Sequence, residues 1–375
     1  MSLSTVVVAY ETEEAARRRL EEFGYAPDVA AEIAVYLAQS TDLPQHSGEI
    51  AGALGEDGLR VEFVSLDDLP RRLQELRPRR DETIVWALTD GVRFYRGAAA
   101  PVLARLEGFA RFGSPATTAH LAQDKFASLV LASAAGLSVP PTRLMQGADE
   151  VASLGQEPRS GALFVKPNTL GAKIGIFADS LCASEAEAID RARRIWRRYN
   201  DRAVIQPFVG GDDVRASFMD CGGVFADQIG VERIEKNPAS ETGGAFLTMK
   251  DNETLSGAKD TSGARGGFGA SRAAAFVPRM IDLRRQPDER SRRVVEAVVD
   301  GAQRLARLVG LRDCFSIDFR IDETGRPTFF EFEVCPAVTI YDFQNYLAGR
   351  GLTLGGALAK SMRLAFTRAS EMGEA

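Results

Sequence analysis

The sequence predicts an α/β protein of more than one lobe: a doubly wound, helix-covered N-terminal unit followed by α+β lobes. Three observations predict it. The chain has 375 residues, 45% hydrophobic and 26% charged, enough for two or three ordinary cores. Short apolar runs alternate with helical patterns through the first third, the signature of a parallel sheet covered by helices. Near the C-terminus a long stretch alternates apolar and polar residues with period two on both sides of a glycine turn, which reads as an antiparallel hairpin.

Taken in order, Val6–Tyr10 reads as a first buried strand, with helices over Ala26–Gln39 and Gly48–Leu54. Strands follow at Leu59–Val64 and Thr83–Thr89, the latter ending at Asp90-Gly91. Gly113-Ser114-Pro115 marks a seam to a second unit, which opens with a helix over Thr118–Ala135 stopped by Gly136. Leu163–Pro167 is a strand that runs into a glycine-containing loop, and Ser184–Tyr199 is a helix whose arginines form a solvated face. Ala203–Pro207 is a further strand. Lys236–Gly269 is rich in Gly, Ser, Thr, Asn and Asp, as lid loops are. Pro287–Val309 reads as a helix with Gly310 as its stop. These breaks divide the chain into residues 1–117, 118–208 and 209–375.

Composition removes several function classes. The net charge of −6 opposes the positive field that nucleic-acid binding requires. No apolar run reaches the roughly 18 residues of a membrane helix. The start, MSLSTVVVAY, lacks the features of a secretory signal. Cys182, Cys221, Cys314 and Cys335 form no CxxC, which argues against a zinc site or a disulfide framework and for the cytoplasm. With only His46 and His120, a His-rich metal centre is excluded, and any metal is a hard cation on carboxylates. Val6–Tyr10 is followed by Glu-Thr-Glu-Glu and not by a glycine-rich turn, which disfavours a dinucleotide-binding dehydrogenase.

The most informative segment is Phe315–Val334, FSIDFRIDETGRPTFFEFEV. Phe315, Ile317, Phe319 and Ile321 point to one face, which Phe330, Phe332 and Val334 can share. Ser316, Asp318, Arg320, Glu331 and Glu333 point to the other. A two-residue turn at Thr324-Gly325 would put Asp318 opposite Glu331 and Glu333 opposite Ser316; a three-residue turn would shift that register. Like charges opposite one another in a sheet repel, and a divalent cation such as Mg²⁺ would relieve them. A solvated acidic face on an edge hairpin would read the same.

Lys166 closes a strand before Pro167-Asn168-Thr169-Leu170-Gly171-Ala172-Lys173-Ile174-Gly175. Glycines let backbone N–H groups approach phosphate oxygens, and Lys166 and Lys173 would add charge. This is not a Walker A sequence. Lys125, in Asp124-Lys125, would supply another cation. Ala203–Val209 could offer strand-edge groups to an adenine ring with Phe208 packed on it, and Asp213 could accept from ribose hydroxyls. A core strand ending in an acidic turn is the plainer alternative.

In this order Asp124-Lys125, VKP…GAKIG, IQPFVGGDD and Asp318…EFEVCP resemble the ATP-grasp superfamily, and within it the D-alanine–D-alanine ligase group, from about Gly113 to Asp342. The N-terminal third matches only in its strand–helix pattern. The resemblance implies an ATP-grasp fold behind a pre-ATP-grasp α/β domain. It implies that Lys125 and Lys166 hold ATP phosphates with Gly171 and Lys173 of the loop. Gln206, Phe208 and Val209 would form the adenine hinge and Asp213 the ribose acceptor. Asp318, Glu331 and Glu333 would bind one or two Mg²⁺. Lys250 resembles the lid lysine that reaches the phosphates, so that Lys166, Lys173 and Lys250 are the catalytic cations. The implied reaction joins a carboxylate to an amine through an acylphosphate, releasing ADP and phosphate. No side-chain nucleophile is needed.

The departures fall on the acceptor side. The family's loop serines are Ala172 and Lys173, and its Asn is Glu333. Three substrate-binding positions carry Ser316 for arginine, Asp342 for serine and Asp90 for the histidine of an HG motif. The N-terminal GGxSxE segment is absent. A carboxylate at Asp342 would repel a carboxylate and attract an amine. The reading is therefore a ligase for amino acids or small peptides with a specialised substrate. The alternatives are a D-alanine–D-alanine ligase of cell-wall synthesis, a small-molecule kinase of the same fold, or a nucleotide-holding regulatory protein. Family members are often homodimers, which the resemblance carries over as an expectation.

Overall fold

The computed structural model describes residues 2–40, 43–89, 96–156, 161–236, 242–249, 279–336 and 343–371. Its fourteen strands form three sheets. The first is parallel, in the order β2-β1-β3-β4, from β1 (Thr5–Tyr10), β2 (Arg60–Ser65), β3 (Thr83–Ala87) and β4 (Ala110–Phe112). A parallel sheet buries both faces, and β1 shows how. Val6 and Val8 enter a core with Leu358, Met362 and Phe366 of the helix Leu354–Glu371. Val7 and Ala9 enter another, with Leu69, Leu73 and Phe109. The last helix, which the sequence division leaves in 209–375, thus packs on the first sheet.

The second sheet is antiparallel, in the order β6-β5-β9-β7-β8, from β5 (Thr142–Gln146), β6 (Asp149–Leu154), β7 (Leu163–Pro167), β8 (Leu181–Cys182) and β9 (Ala203–Pro207). The helix Glu185–Tyr199 covers one face with Ala188, Ala192, Ile195 and Tyr199 against Val165 and Ile205. Its arginines fall outside that stripe, except Arg191, which is buried and donates to the Gly175 carbonyl at 2.8 Å. Ser184 caps its N-terminus, and Asn200 ends it in the left-handed region.

The third sheet is antiparallel, in the order β12-β11-β10-β13-β14, from β10 (Asp212–Met219), β11 (Ile229–Glu235), β12 (Arg279–Asp282), β13 (Cys314–Ile321) and β14 (Pro327–Glu333). The helix Glu289–Val309 presses Val294, Val298, Ala302 and Leu305 onto Phe315, Ile317, Phe319 and Ile321 of β13. That contact turns the other face of β13, the face of Asp318, toward the second sheet.

Three sequence expectations change. The helix expected over Thr118–Ala135 is two, Ala116–Ala122 and Lys125–Ala134, because Asp124 turns out of the helix and caps the second one by accepting from the Ala127 N–H at 2.9 Å. The helix expected over Pro287–Val309 starts at Glu289, because Asp288 is its cap. The hairpin turn is three residues long: the Asp322 carboxylate accepts from the Thr324 and Arg326 N–H groups at 2.9 Å each, and Gly325 sits at φ +87°. The shift this introduces is undone by a bulge beyond Phe319, so that Phe319 faces Phe329 while Asp318 still faces Glu331 and Ser316 faces Glu333. Phe330 is the extra residue. It leaves the apolar face expected for it and lines the cleft beside Glu331, while Phe329 is buried in its place.

Candidate active site

The second and third sheets face each other across a cleft of ≈ 240 Å³, lined by Lys166 and Phe164 of β7, Gln206 of β9, Arg215 of β10, Asp318 and Arg320 of β13, and Glu331 of β14. One end is aromatic. Phe164, Phe208 and Phe246 pack as a cluster with ring centroids 4.9–6.2 Å apart. Beneath them Gln206, 1% exposed, donates through Nε2 to Thr142 Oγ1 at 2.8 Å. Its Oε1 is buried with no partner among the described residues. A buried amide oxygen left unpaired carries a desolvation cost, which a ligand N–H would remove. An adenine amine between aromatic rings has that N–H.

The edge of this slot is more charged than the sequence reading supposed. Asp213 is held by Arg320 (Nη2–Oδ1 2.6 Å) and by Lys236 (Nζ–Oδ2 3.1 Å). Arg320 lies over the Phe208 and Phe330 rings at 5.7 and 5.8 Å and donates to the Val209 carbonyl at 2.9 Å. Arg320 thereby ties the backbone at Val209 to the third sheet.

The other end gathers ammonium groups and carboxylates. Lys125 is buried and donates to the Leu170 carbonyl at 2.7 Å, tying the helix Lys125–Ala134 to the glycine loop. Lys166 is 5% exposed, with its ammonium over the Phe330 ring at 5.3 Å. Burial pushes its pKa down to about 8, with Lys125 and Arg320 adding to the effect and Glu331 and Asp318 opposing it. Burial also lowers the Lys173 pKa, as does Arg215 nearby. Burial pushes the Glu331 carboxyl up, but Lys125, Lys166, Arg215 and Lys173 together outweigh it and hold it below its ordinary value.

The loop achieves this with residues that are not glycine. Gly171 O accepts from Ile174 N at 3.0 Å, and the two residues inside the turn, Ala172 and Lys173, sit at φ +49° and +63°. Two side-chain-bearing residues in the left-handed region cost roughly 1–2 kcal/mol each. Gly175 is the position that demands glycine: it sits at φ +73°, and a Cβ there would fall 2.7 Å from Pro167 Cγ. Gly171 has open space around it.

Asp318, Glu331 and Glu333 lie on the face the hairpin pattern predicts, but a side chain the sequence reading passed over joins them. Arg215 stands opposite Asp318 in the β10–β13 ladder, as Glu331 does in the β13–β14 ladder. Its guanidinium takes both Asp318 oxygens (Nε–Oδ1 2.7 Å, Nη2–Oδ2 2.8 Å) and lies 3.6 Å from Glu333 Oε1. Ser316 is buried on the same face and donates to Glu333 at 3.3 Å. In this arrangement no three His, Cys, Asp or Glu side chains among the described residues converge closely enough to hold a metal ion. The donors suit a hard divalent cation in kind, and the cation they hold is a guanidinium. Asp90, Lys250 and Asp342 lie outside the described residues.

No family model matches the chain. Among curated proteins it is 26% identical over 279 residues to the D-alanine–D-alanine ligase of Gloeobacter violaceus, covering 72% of this chain and 76% of that one. It is 24% identical over 333 residues to the D-alanine–D-alanine ligase of Citrifermentans bemidjiense, covering 88% and 93%. Among solved structures it superposes on the ATP-complexed D-alanine–D-alanine ligase of Bacillus anthracis with a TM-score of 0.64 at 12% identity, covering 99% of this chain and all of the other. The VanG D-Ala:D-Ser ligase of Enterococcus faecalis superposes with a TM-score of 0.61 at 13% identity, covering 97% and 100%. The chain is thus similar in sequence to D-alanine–D-alanine ligases and has the fold of the solved ones.

Of two cleft arginines, Arg215 escapes a reading based on motifs, and Arg320 is placed on the right face by the hairpin pattern but given no role. The available signal was an arginine at an inward position of an otherwise apolar strand, as in VRASFM and DFRI. The chain's four cysteines are buried and unbonded, and among the described residues no helix is long and apolar enough to cross a membrane.

Proposed function

We propose that the protein is an ATP-dependent ligase that joins an amino acid or small peptide carboxylate to an amine, with a substrate pair other than two D-alanines, acting in the cytoplasm. The observation that carries the reading is the polarity of the cleft: an aromatic slot with the orphaned Gln206 Oε1 at one end, and Lys125, Lys166 and Lys173 facing Asp318, Glu331 and Glu333 at the other. An adenine and a polyphosphate have that same polarity. The names of the relatives support ligation, and the loop and acceptor-side departures support a changed substrate.

In the first step a carboxylate oxygen attacks the γ-phosphorus, the bond to the β–γ bridging oxygen breaks, and ADP leaves with that electron pair. In the second, the amine adds to the acyl carbon, loses a proton, and expels phosphate. Both steps move negative charge among non-bridging oxygens, and fixed cations lower that cost more in a half-buried cleft than in water. Lys166 would hold oxygens on the β7 side, Lys173 those nearest the loop, and Lys125 would fix the loop backbone. Asp318, Glu331 and Glu333 are the residues that would hold Mg²⁺, which when bound would supply further positive charge to the phosphate oxygens. Exclusion of water protects an acylphosphate from hydrolysis.

The test is a phosphate-release screen of paired amino acids and amines with Mg-ATP, read by mass spectrometry. Release that requires both partners and yields their joint mass less one water supports the ligase. ADP formation without an amine and without phosphate release, with a product heavier by one phosphoryl group, replaces it with a kinase.

A further inference from the structure

We infer that Arg215 is a built-in counter-cation that a divalent metal must displace from Asp318, so that free metal is kept off the site until nucleotide brings it. The inference rests on the proposed function for the identity of the incoming ion, and on geometry for the rest.

Arg215, Asp318 and Glu331 form one row across three adjacent strands, each directly opposite the next. Such a row is rigid: the ladder hydrogen bonds fix the Cα positions, and side chains on one face have little freedom to separate. The fork contact is the strongest pairing a carboxylate makes with a side chain, and here it uses both Asp318 oxygens. The same guanidinium reaches toward Glu333, at 3.6 Å. Arg215 thus stands at two of the three carboxylates assigned to the metal. A divalent cation on Asp318 and Glu333 would lie a few ångströms from this positive charge, and the two repel at such range. One or the other holds Asp318.

A metal ion alone offers little to drive the exchange, because freeing Arg215 strands a guanidinium only 17% exposed in a cleft that Lys166, Lys173 and Arg320 also line. A metal–triphosphate complex brings the missing negative charge, since its oxygens can take up the released fork. Arg215 therefore acts as a positioning residue: it sets the order of arrival, metal with nucleotide, and keeps the acidic face neutralised beforehand.

The experiment titrates Mn²⁺ into the full chain by electron paramagnetic resonance, first alone and then with a non-hydrolysable ATP analogue. Wild type, Arg215→Met and Arg215→Lys are compared. The expected result is weak binding of Mn²⁺ alone to wild type, at least tenfold tighter binding to Arg215→Met, and intermediate binding to Arg215→Lys, which keeps the charge and loses the fork. The analogue should tighten Mn²⁺ at least tenfold in wild type and by a smaller factor in Arg215→Met. If Arg215→Met fails to fold, the Arg215→Lys comparison decides the matter. Equal affinity for free Mn²⁺ across the proteins overturns the inference while leaving the ligase reading intact. Absence of Mn²⁺ binding in every protein even with the analogue overturns both.

Discussion

The β13–β14 hairpin and the loop Gly171–Gly175 deliver charge to the same cleft by opposite means. The hairpin uses regular strand geometry: alternate residues of an antiparallel ladder carry Asp318, Glu331 and Glu333, each in an unstrained extended conformation. The loop delivers Lys173 from a turn whose two inner residues, Ala172 and Lys173, both sit in the left-handed region. A strand places a charge without backbone strain and cannot readily move it. A strained turn places it at a cost and holds it where relaxation is available.

Breaking the hairpin side has the largest effect. Glu331→Gln should reduce turnover about a thousandfold, on the scale of losing a principal electrostatic group at a phosphoryl-transfer site. It should also lower stability, by about 1–3 kcal/mol, because the four cations around Glu331 lose a carboxylate that all of them face. Like-charge repulsion with Asp318, taken alone, would give the opposite sign, so urea denaturation of the variant separates the two pictures. A rise in stability would mean that Arg215 does not neutralise the row.

Breaking the loop side should split stability from activity. Lys173→Gly relieves one left-handed side chain and should raise stability by about 1 kcal/mol, while turnover falls about a hundredfold. Thermal melting and phosphate release on the same preparation check it. A variant that loses activity and stability together would show that the lysine is held by its contacts and not against its backbone.

The smallest effect is a proton. Lys166 titrates near 8 in the folded chain against about 10.5 for a free lysine. Between those values the native state holds fewer protons than the unfolded one, so this group's contribution to stability rises with pH across that window. Below pH 8 the group is charged in both states, and its burial penalty is fully present. An anionic phosphate beside Lys166 stabilises the charged form, so nucleotide binding at pH 8–9 should take up a fraction of a proton. Calorimetry in two buffers of different ionisation enthalpy measures that uptake, and Lys166→Arg should abolish it. Buffer-independent heats in the wild type would place the phosphates away from Lys166.

The hairpin was the most legible part of the sequence, and still legible for an incomplete reason. Period-two alternation puts Asp318 and Glu331 on one face with a two-residue turn and on opposite faces with a three-residue turn alone. Their direct pairing, however, depends on two deviations that cancel: the three-residue turn templated by Asp322 and the bulge at Phe330. Neither has a strong local signal, since Thr-Gly suits either turn and Phe-Phe gives no hint of which ring leaves the core. Arg215 was illegible because its meaning lies in β10 pairing with β13, about a hundred residues away in sequence, and strand partners cannot be read from local pattern. Helix Thr118–Ala135 was overread because apolar periodicity runs straight through Asp124, whose capping role shows only when the chain turns there. The acceptor side stays an expectation: Asp90 and Asp342 carry it, and both lie outside the described residues.

The packing of Leu354–Glu371 on β1 has a consequence for how the protein is made. The face of the first sheet that carries Val6 and Val8 is closed by residues translated some 350 positions later. While the chain emerges from the ribosome, the helix Leu43–Glu56 covers part of that greasy surface with Ile50 and Leu54, but the part met by Leu358, Met362 and Phe366 stays open in a nascent or C-terminally clipped chain, exposed to chaperones and to aggregation. The two ends of the polypeptide are thus clasped together, and excising the N-terminal sheet as a free-standing fragment should give an insoluble product unless the final helix is supplied alongside.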